Sequence, residues 1–285
     1  SFENIPYGTW YVREIEQPAG FVLDDTIYPV TIGADGQVVE IEIVNRYVRG
    51  NIHLTKVDSE YPDNKLTGAT FEVYKDSNAN GKLDDGDELL GTLTEKEKGE
   101  YSMNDLFYGR YFVKETKAPE GFVLDTGVYE VMIDTNGKTC EVENKAGVGF
   151  INDAMRGNLK IVKTSSDGKV KGFAFRITGA NGYDIILETN DKGEIFIDGL
   201  RIGDYTISEV SNSASSMYVI PADKKATVKL GSTTIVEMHN VLRDTPKTGD
   251  TTNLPLLYTL AGLSAVGIAV CGVIGFKKKK KEDRN

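Results

Sequence analysis

The chain has 285 residues, enough for two or three small domains. Its 43 acidic against 33 basic residues leave a formal charge of -10, and the basic residues form a block only at the extreme C-terminus, which argues against a nucleic-acid partner. The two cysteines, Cys140 in a strand-like segment and Cys271 in an apolar run far downstream, are not expected to pair, so covalent stability must come from elsewhere.

Short alternating segments separated by Asp-Gly, Asn-Gly and Gly-Ser turns predict an all-β protein. No initiator Met or leader opens the chain, and Ser1 to Trp10 reads as the middle of a domain. The sequence is therefore expected to be the C-terminal part of a longer precursor.

Residues 1–48 read as the back half of a first unit. Trp10, Val12 and Glu14 share one strand face, because residues two apart point the same way. Glu14 begins the run Glu-Ile-Glu-Gln-Pro-Ala-Gly-Phe, and Asp35-Gly36 predicts a tight hairpin. Its second strand places Val39, Ile41, Ile43 and Asn45 on one face.

A junction then appears twice. Asn45-Arg46-Tyr47-Val48-Arg49-Gly50 leads into a strand that places Ile52, Leu54 and Lys56 on one face. Asn152-Asp153-Ala154-Met155-Arg156-Gly157 leads into one that does the same for Leu159, Ile161 and Lys163. One unit closes on an Asn, Arg-Gly forms a short hinge, and the next unit opens on a strand ending in Lys.

The second unit covers 49–155. After the Lys56 strand come the segment Leu66 to Tyr74, an acidic loop at 76–88, and a strand with Tyr111, Val113 and Glu115 on one face. Glu115 begins Glu-Thr-Lys-Ala-Pro-Glu-Gly-Phe, matching the run at Glu14; Asn136-Gly137 predicts a hairpin, and Val148, Phe150 and Asn152 share the closing face. The third unit, 156–243, repeats the order with Lys163, then Glu209 behind Tyr205 and Ile207, then Asn240 behind Val236 and Met238. The Ala-Pro-x-Gly run after Glu209 is replaced by Ser211 to Ser216.

Lys, Glu and Asn thus each end an apolar strand face, in the same order, in both complete units. A buried lysine is costly unless neutral or paired. A trio of buried polar groups satisfying one another is one reading. The other is attack by the Lys amine on the Asn carboxamide, releasing ammonia and leaving an isopeptide bond. Burial lowers the amine pKa, a carboxyl kept protonated shuttles protons, and folding holds the partners in contact.

The runs Lys56-Val57-Asp58, Leu66 to Phe71 and Tyr111 to Phe122 resemble those of Gram-positive pilins and collagen-adhesin B-type repeats. The resemblance implies tandem prealbumin-like, immunoglobulin-like β-sandwiches, each with an internal Lys–Asn isopeptide bond promoted by a Glu. It implies Lys56, Asn152 and Glu115 for the second unit and Lys163, Asn240 and Glu209 for the third. The first unit holds only Glu14 and Asn45.

In the acidic loop, Asp76, Asn78, Asn80, Asp84 and Asp87 hold the oxygen positions of an EF-hand-type loop, with Gly81 at the sixth place and Lys82 at the seventh. The spacing predicts Ca2+ in the 76–87 loop, against the plainer reading of a solvated hairpin tip; no other cofactor is required.

Thr245-Pro246-Lys247-Thr248-Gly249 and the linker 244–253 precede an apolar run, 254–276, predicted to be one transmembrane helix, and a basic cytoplasmic tail, 277–285. The composite resembles a cell-wall sorting signal, which implies cleavage by a sortase between Thr248 and Gly249. The whole reads as an extracellular, cell-wall-anchored stalk, a pilin subunit or adhesin stem, with a single-pass membrane precursor. Expected partners are sortase, peptidoglycan or another pilin subunit, the membrane before sorting, and a host or surface ligand through a region upstream. No turnover is expected beyond the chain's reaction on itself. The alternative is the stalk and anchor of a surface enzyme whose catalytic domain lies upstream.

Overall fold

The computed structural model describes residues 1–244, and these are almost entirely strand and turn. The sorting motif at 245–249, the apolar run and the basic tail lie outside the described residues. Among the described residues no helix is long and apolar enough to cross a membrane.

Residues 1–48 form β1 (Gly8–Val12), β2 (Phe21–Val22), β3 (Tyr28–Ile32) and β4 (Arg46–Tyr47), paired as β1–β3 and β2–β4. The strand expected over Val39 to Asn45 is not formed. In the two later units the closing strand pairs in parallel with the opening strand. Among the described residues no strand pairs with 37–45, and Trp10, Val39 and Ile41 are exposed.

The next stretch builds two facing sheets. One is β11 (Val128–Ile133), β10 (Gly109–Lys117), β6 (Thr70–Lys75) and β7 (Glu88–Thr92) in that order. The other is β12 (Thr139–Glu141), β5 (Arg49–Asp58), β9 (Glu100–Phe107) and β8 (Thr94–Glu97), with β13 (Phe150–Asn152) also on β5. Period-two alternation buries Ile52 and Leu54 of β5 against Phe71, Val73, Tyr111, Val113 and Phe150, an apolar layer between the sheets.

The last stretch repeats the plan. One sheet runs β17 (Glu194–Arg201), β14 (Arg156–Ser165), β21 (Thr233–Leu242) and β19 (Tyr218–Val219). The facing sheet runs β16 (Asp184–Glu188), β15 (Ala174–Thr178), β18 (Gly203–Val210) and β20 (Lys224–Val228). Its core gathers Leu159, Ile161, Phe173, Phe175, Ile207 and Met238.

Two local readings are corrected. Asn136-Gly137 is not the tip of a paired hairpin: β11 pairs with β10 and β12 with β5, so the turn carries the chain from one sheet to the other. Gly137 takes a left-handed φ of +77° there, and its N–H donates to Arg49 O at 2.7 Å. Nor is Arg-Gly a hinge. Gly50 and Gly157 are buried inside β5 and β14, where a Cβ would collide with the carbonyl oxygens of Lys138 and Lys229. Glycine stands there because the sheet-crossing turn packs onto the start of the opening strand.

Successive stretches also touch. Arg201 donates to Asp58 through both branches of its guanidinium, at 2.6 and 2.7 Å, and Glu60 Oε2 accepts from the same group at 2.6 Å. Asp58 lies two residues beyond Lys56 and is fully buried.

Candidate functional site

Lys56 follows Ile52 and Leu54 on the inward face of β5, and its side chain is fully buried. Its Nζ donates to the Phe150 carbonyl at 3.0 Å and sits 5.1 Å from the Phe150 ring centroid. Phe150 opens β13, which runs parallel to β5 and carries Asn152 on the same inward face. Glu115 reaches the site from β10 in the facing sheet and is also fully buried. Asn152 Nδ2 donates to Glu115 Oε2 at 2.8 Å. Lysine and asparagine thus come from neighbouring parallel strands of one layer, and the acid comes from the other.

The same strand register recurs in the last stretch, although Lys163 Nζ donates to the Thr164 carbonyl of its own strand and not to the closing strand. Lys163 on β14 and Asn240 on the parallel β21 are buried, and Glu209 faces them from β18. Asn240 Nδ2 donates to Glu209 Oε1 at 2.6 Å, and Lys163 Nζ lies 4.1 Å from the Phe173 ring centroid. In the first stretch Asn45 Nδ2 donates to Glu14 Oε1 at 2.8 Å, with both residues half-buried and no lysine beside them.

Burial shifts the lysine and the acid in opposite directions. It pulls Lys56 down to about 8, against the charges of Glu115, Asp125 and Asp58, which favour the ammonium. Burial also pushes Glu115 above the usual carboxylate range, although the Asn152 hydrogen bond works the other way. Lys163 is lowered and Glu209 raised for the same reason. Glu115 Oε1 and Asn152 Oδ1 are both buried without a hydrogen-bond partner, as are Glu209 Oε2 and Asn240 Oδ1. Two orphan acceptors on adjoining groups are costly as they stand, and one proton on the carboxyl lets it donate to the carboxamide oxygen. The arrangement therefore presents an amine of reduced basicity on one strand and, on the strand beside it, a carboxamide bound to a carboxyl inclined to hold its proton.

Several residues of the site were not read from the sequence. The Asp125 N–H donates to the same Glu115 Oε2 at 2.8 Å, and the Asp125 carboxylate accepts from Tyr129 Oη at 2.8 Å and Asn144 Nδ2 at 2.7 Å. Asn144 also clasps the closing strand, accepting from Ile151 N at 2.6 Å and donating to Ile151 O at 2.9 Å. In the first stretch Asp24 donates to Glu14 Oε2 at 2.8 Å and accepts from Tyr28. The signal was available: Asp follows Gly-Phe-Val-Leu, and Tyr follows four residues later, in both Gly20–Tyr28 and Gly121–Tyr129.

In the acidic loop the structure gives the predicted calcium site no support. Its carboxylates are turned to the loop's own N–H groups. Asp76 accepts from Asn80 N at 3.1 Å and Gly81 N at 3.0 Å, and Asp87 from Ser77 N at 3.1 Å and Asp84 N at 3.0 Å. Asn78 and Asn80 aim their amide nitrogens at Asp84, Lys82 N donates to Asn80 Oδ1, and the Arg110 guanidinium stands 3.6 Å from Asp76. Among the described residues no three or more His, Cys, Asp or Glu side chains gather as a metal would require. The oxygen spacing is that of a calcium loop, but the hydrogen bonds are those of a self-satisfied turn.

The family described as a SpaA prealbumin-like fold domain matches residues 1–47, 50–146 and 157–241. Its second match stops short of Asn152 and includes Asn144, whereas the structure places Asn152, not Asn144, on Glu115. Over 194 residues, 57% of this chain, the sequence is 28% identical to the trypsin-resistant surface T6 protein of Streptococcus pyogenes serotype M6, of which the match spans 34%. A solved structure of the Bacillus anthracis TIE protein is 27% identical, with a TM-score of 0.62, and covers 83% of this chain and 42% of that one. The chain therefore spans well under half the length of both relatives. A streptococcal ancillary pilin is 20% identical over 85% of this chain and 77% of its own, with a TM-score of 0.30.

Proposed function

Because the chain belongs to the SpaA family of prealbumin-like fold domains, matched three times along its length, we propose that it is the stalk of a Gram-positive surface protein, a pilin subunit or adhesin stem, stapled by its own Lys–Asn isopeptide bonds. The observation that carries this reading is the buried trio, Lys56–Glu115–Asn152, recurring as Lys163–Glu209–Asn240.

In the reaction, the neutral Nζ of Lys56 attacks Cγ of Asn152 while protonated Glu115 donates to the carboxamide oxygen. The new C–N bond forms, Glu115 relays the proton lost by Nζ to the departing nitrogen, and the Cγ–Nδ2 bond breaks to release ammonia. Folding supplies the alignment, so each unit reacts once and does not turn over. Lys163, Asn240 and Glu209 act in the same roles.

A bond between the opening and closing strands suits a stalk. Tension entering along β5 leaves along β13 through a covalent link, without shearing the ladder between them. Closing a loop of about 100 residues also stabilises by roughly 4.7 kcal/mol in the chain-entropy estimate made for disulfides. Thr245 to Gly249 would be the sortase site, with Thr248 passed to peptidoglycan or to another subunit, and the apolar run 254–276 would hold the precursor in the membrane until then. Intact mass of the purified chain tests the staple. The expected value is short by one ammonia for each of the two complete units, and a full sequence mass would refute it.

A further inference from the structure

Each complete unit holds a second carboxylate beside its trio, brought from a different place in the chain. In the second unit it is Asp125, whose main-chain N–H shares Glu115 Oε2 with Asn152 and whose side chain is bound by Tyr129, Asn144 and the Gly127 N–H. The sequence after Glu209 has no equivalent, since Val219 stands at the matching distance. In the third unit the aspartate whose charge reaches the lysine is Asp167, on the turn that follows Lys163 and β14. Its Oδ1 accepts from Tyr218 Oη at 2.6 Å and Ser165 Oγ at 2.9 Å. The Tyr218 ring lies 6.0 Å from Lys163 Nζ. Two unrelated segments thus each supply an aspartate held by a tyrosine, and in each unit its charge acts on the lysine.

We propose that Asp125 and Asp167 are positioning residues of the amide-forming reaction, fixed negative charges that set the pH window in which lysine and glutamate share the reactive protonation state. This rests on the isopeptide reading above. The reactive pair is amine plus carboxylic acid, so it carries one proton fewer than the fully protonated pair and one more than the fully deprotonated pair. A third charge that stays negative raises the proton affinity of both members and moves the whole window toward alkaline pH. The aspartate itself gains and loses nothing: the proton leaving Lys Nζ passes through the Glu carboxyl to the departing nitrogen, which leaves as ammonia.

The surroundings fit this role. Burial works to raise Asp125, but the bonds from Asn144, Gly127 and Tyr129, with the Lys56 charge, hold it below the ordinary carboxylate range. The Tyr218 hydrogen bond does the same for Asp167. The Asp125 charge favours the ammonium of Lys56 and the neutral acid of Glu115 alike. The other charge facing Lys56 is Asp58, which is bound by Arg201. Lys163 faces Glu209 and Asp167, the latter with the Lys169 ammonium 3.4 Å away.

The test uses the full chain, purified unfolded from inclusion bodies and refolded with mild detergent across a pH series. Samples are quenched in acid, and ammonia loss is read separately for the two units by peptide mass mapping. Asp125→Asn is expected to move both limbs of the second unit's rate profile acidward by about one pH unit, leaving the third unit unmoved, and Asp125→Glu is expected to restore the window. Asp167→Asn is expected to do the converse with a smaller shift, since solvent screens its site more. If the limbs stay fixed while only the plateau rate falls, the aspartates are structural and the proposal is overturned. If an Asp125→Asn unit fails to fold, Asp167→Asn decides alone. Absence of any ammonia loss in the unsubstituted chain refutes the isopeptide reading itself, and this inference with it.

Discussion

Asn152 donates to Glu115 across 2.8 Å between the two sheets, while the remaining oxygens of both side chains, Asn152 Oδ1 and Glu115 Oε1, are buried with no partner. An ionised Glu115 leaves both atoms unsatisfied; a protonated one supplies the missing donor. Glu115→Ala removes the proton carrier. It is expected to abolish ammonia loss in the second unit alone and to lower that unit's stability by about 4–5 kcal/mol, the loop-closure contribution. Intact mass and denaturant melts check both, with the third unit as the internal reference.

The pH dependence of bond formation follows from the two shifted groups. Lys56 lies at about 8 and Glu115 is raised. The rate is expected to be bell-shaped. It falls on the acid side as the pair becomes ammonium plus acid, and above about 8 as it becomes amine plus carboxylate. Before the bond forms, Lys56 also makes folding depend on pH. Its folded value lies below the 10.5 of a free lysine, so the unfolded chain binds more protons between about 8 and 10.5, and stability is lost as pH falls through that window. Urea melts of Asn152→Ala, which cannot form the bond, check the sign.

Two asparagines compete for the closing role in the second unit. Asn144 sits on Asp125 and Ile151, whereas Asn152 sits on Glu115. Asn152→Ala is expected to keep the ammonia in that unit. Asn144→Ala is expected to lose it still, but more slowly, because the clasp on the closing strand is gone. Time-resolved peptide mass mapping separates the two.

Arg201→Ala leaves Asp58 buried and without its cation. Removing one partner of a buried ion pair typically costs about 3–5 kcal/mol, and the loss is expected to appear in the second unit although the substitution lies in the third. A melt that weakens only the third unit would contradict this, as would one with no change.

Alternation alone placed Lys56, Glu115 and Asn152 on apolar strand faces, because a strand has only two faces and the polar residue continues an apolar series. The repeat at Lys163, Glu209 and Asn240 was legible for the same reason. What alternation could not show was which strands become neighbours. Asn136-Gly137 has the chemistry of a hairpin tip but crosses between sheets, and Gly50 reads as a hinge until the turn is seen packed against it. Asp125 and Asp167 act on their lysines from unrelated positions in the chain, which no one-dimensional spacing records. The loop at Asp76 to Asp87 kept a metal-binding spacing, while its hydrogen bonds satisfy the oxygens internally.

The most direct test is a tryptic digest of the purified chain read by tandem mass spectrometry. The account predicts two branched peptides, one joining the segment around Lys56 to that around Asn152 and the other joining Lys163 to Asn240. Each should be lighter by one ammonia and uncut after its lysine. Linear peptides ending at Lys56 and Lys163, with both asparagines unmodified, would contradict it.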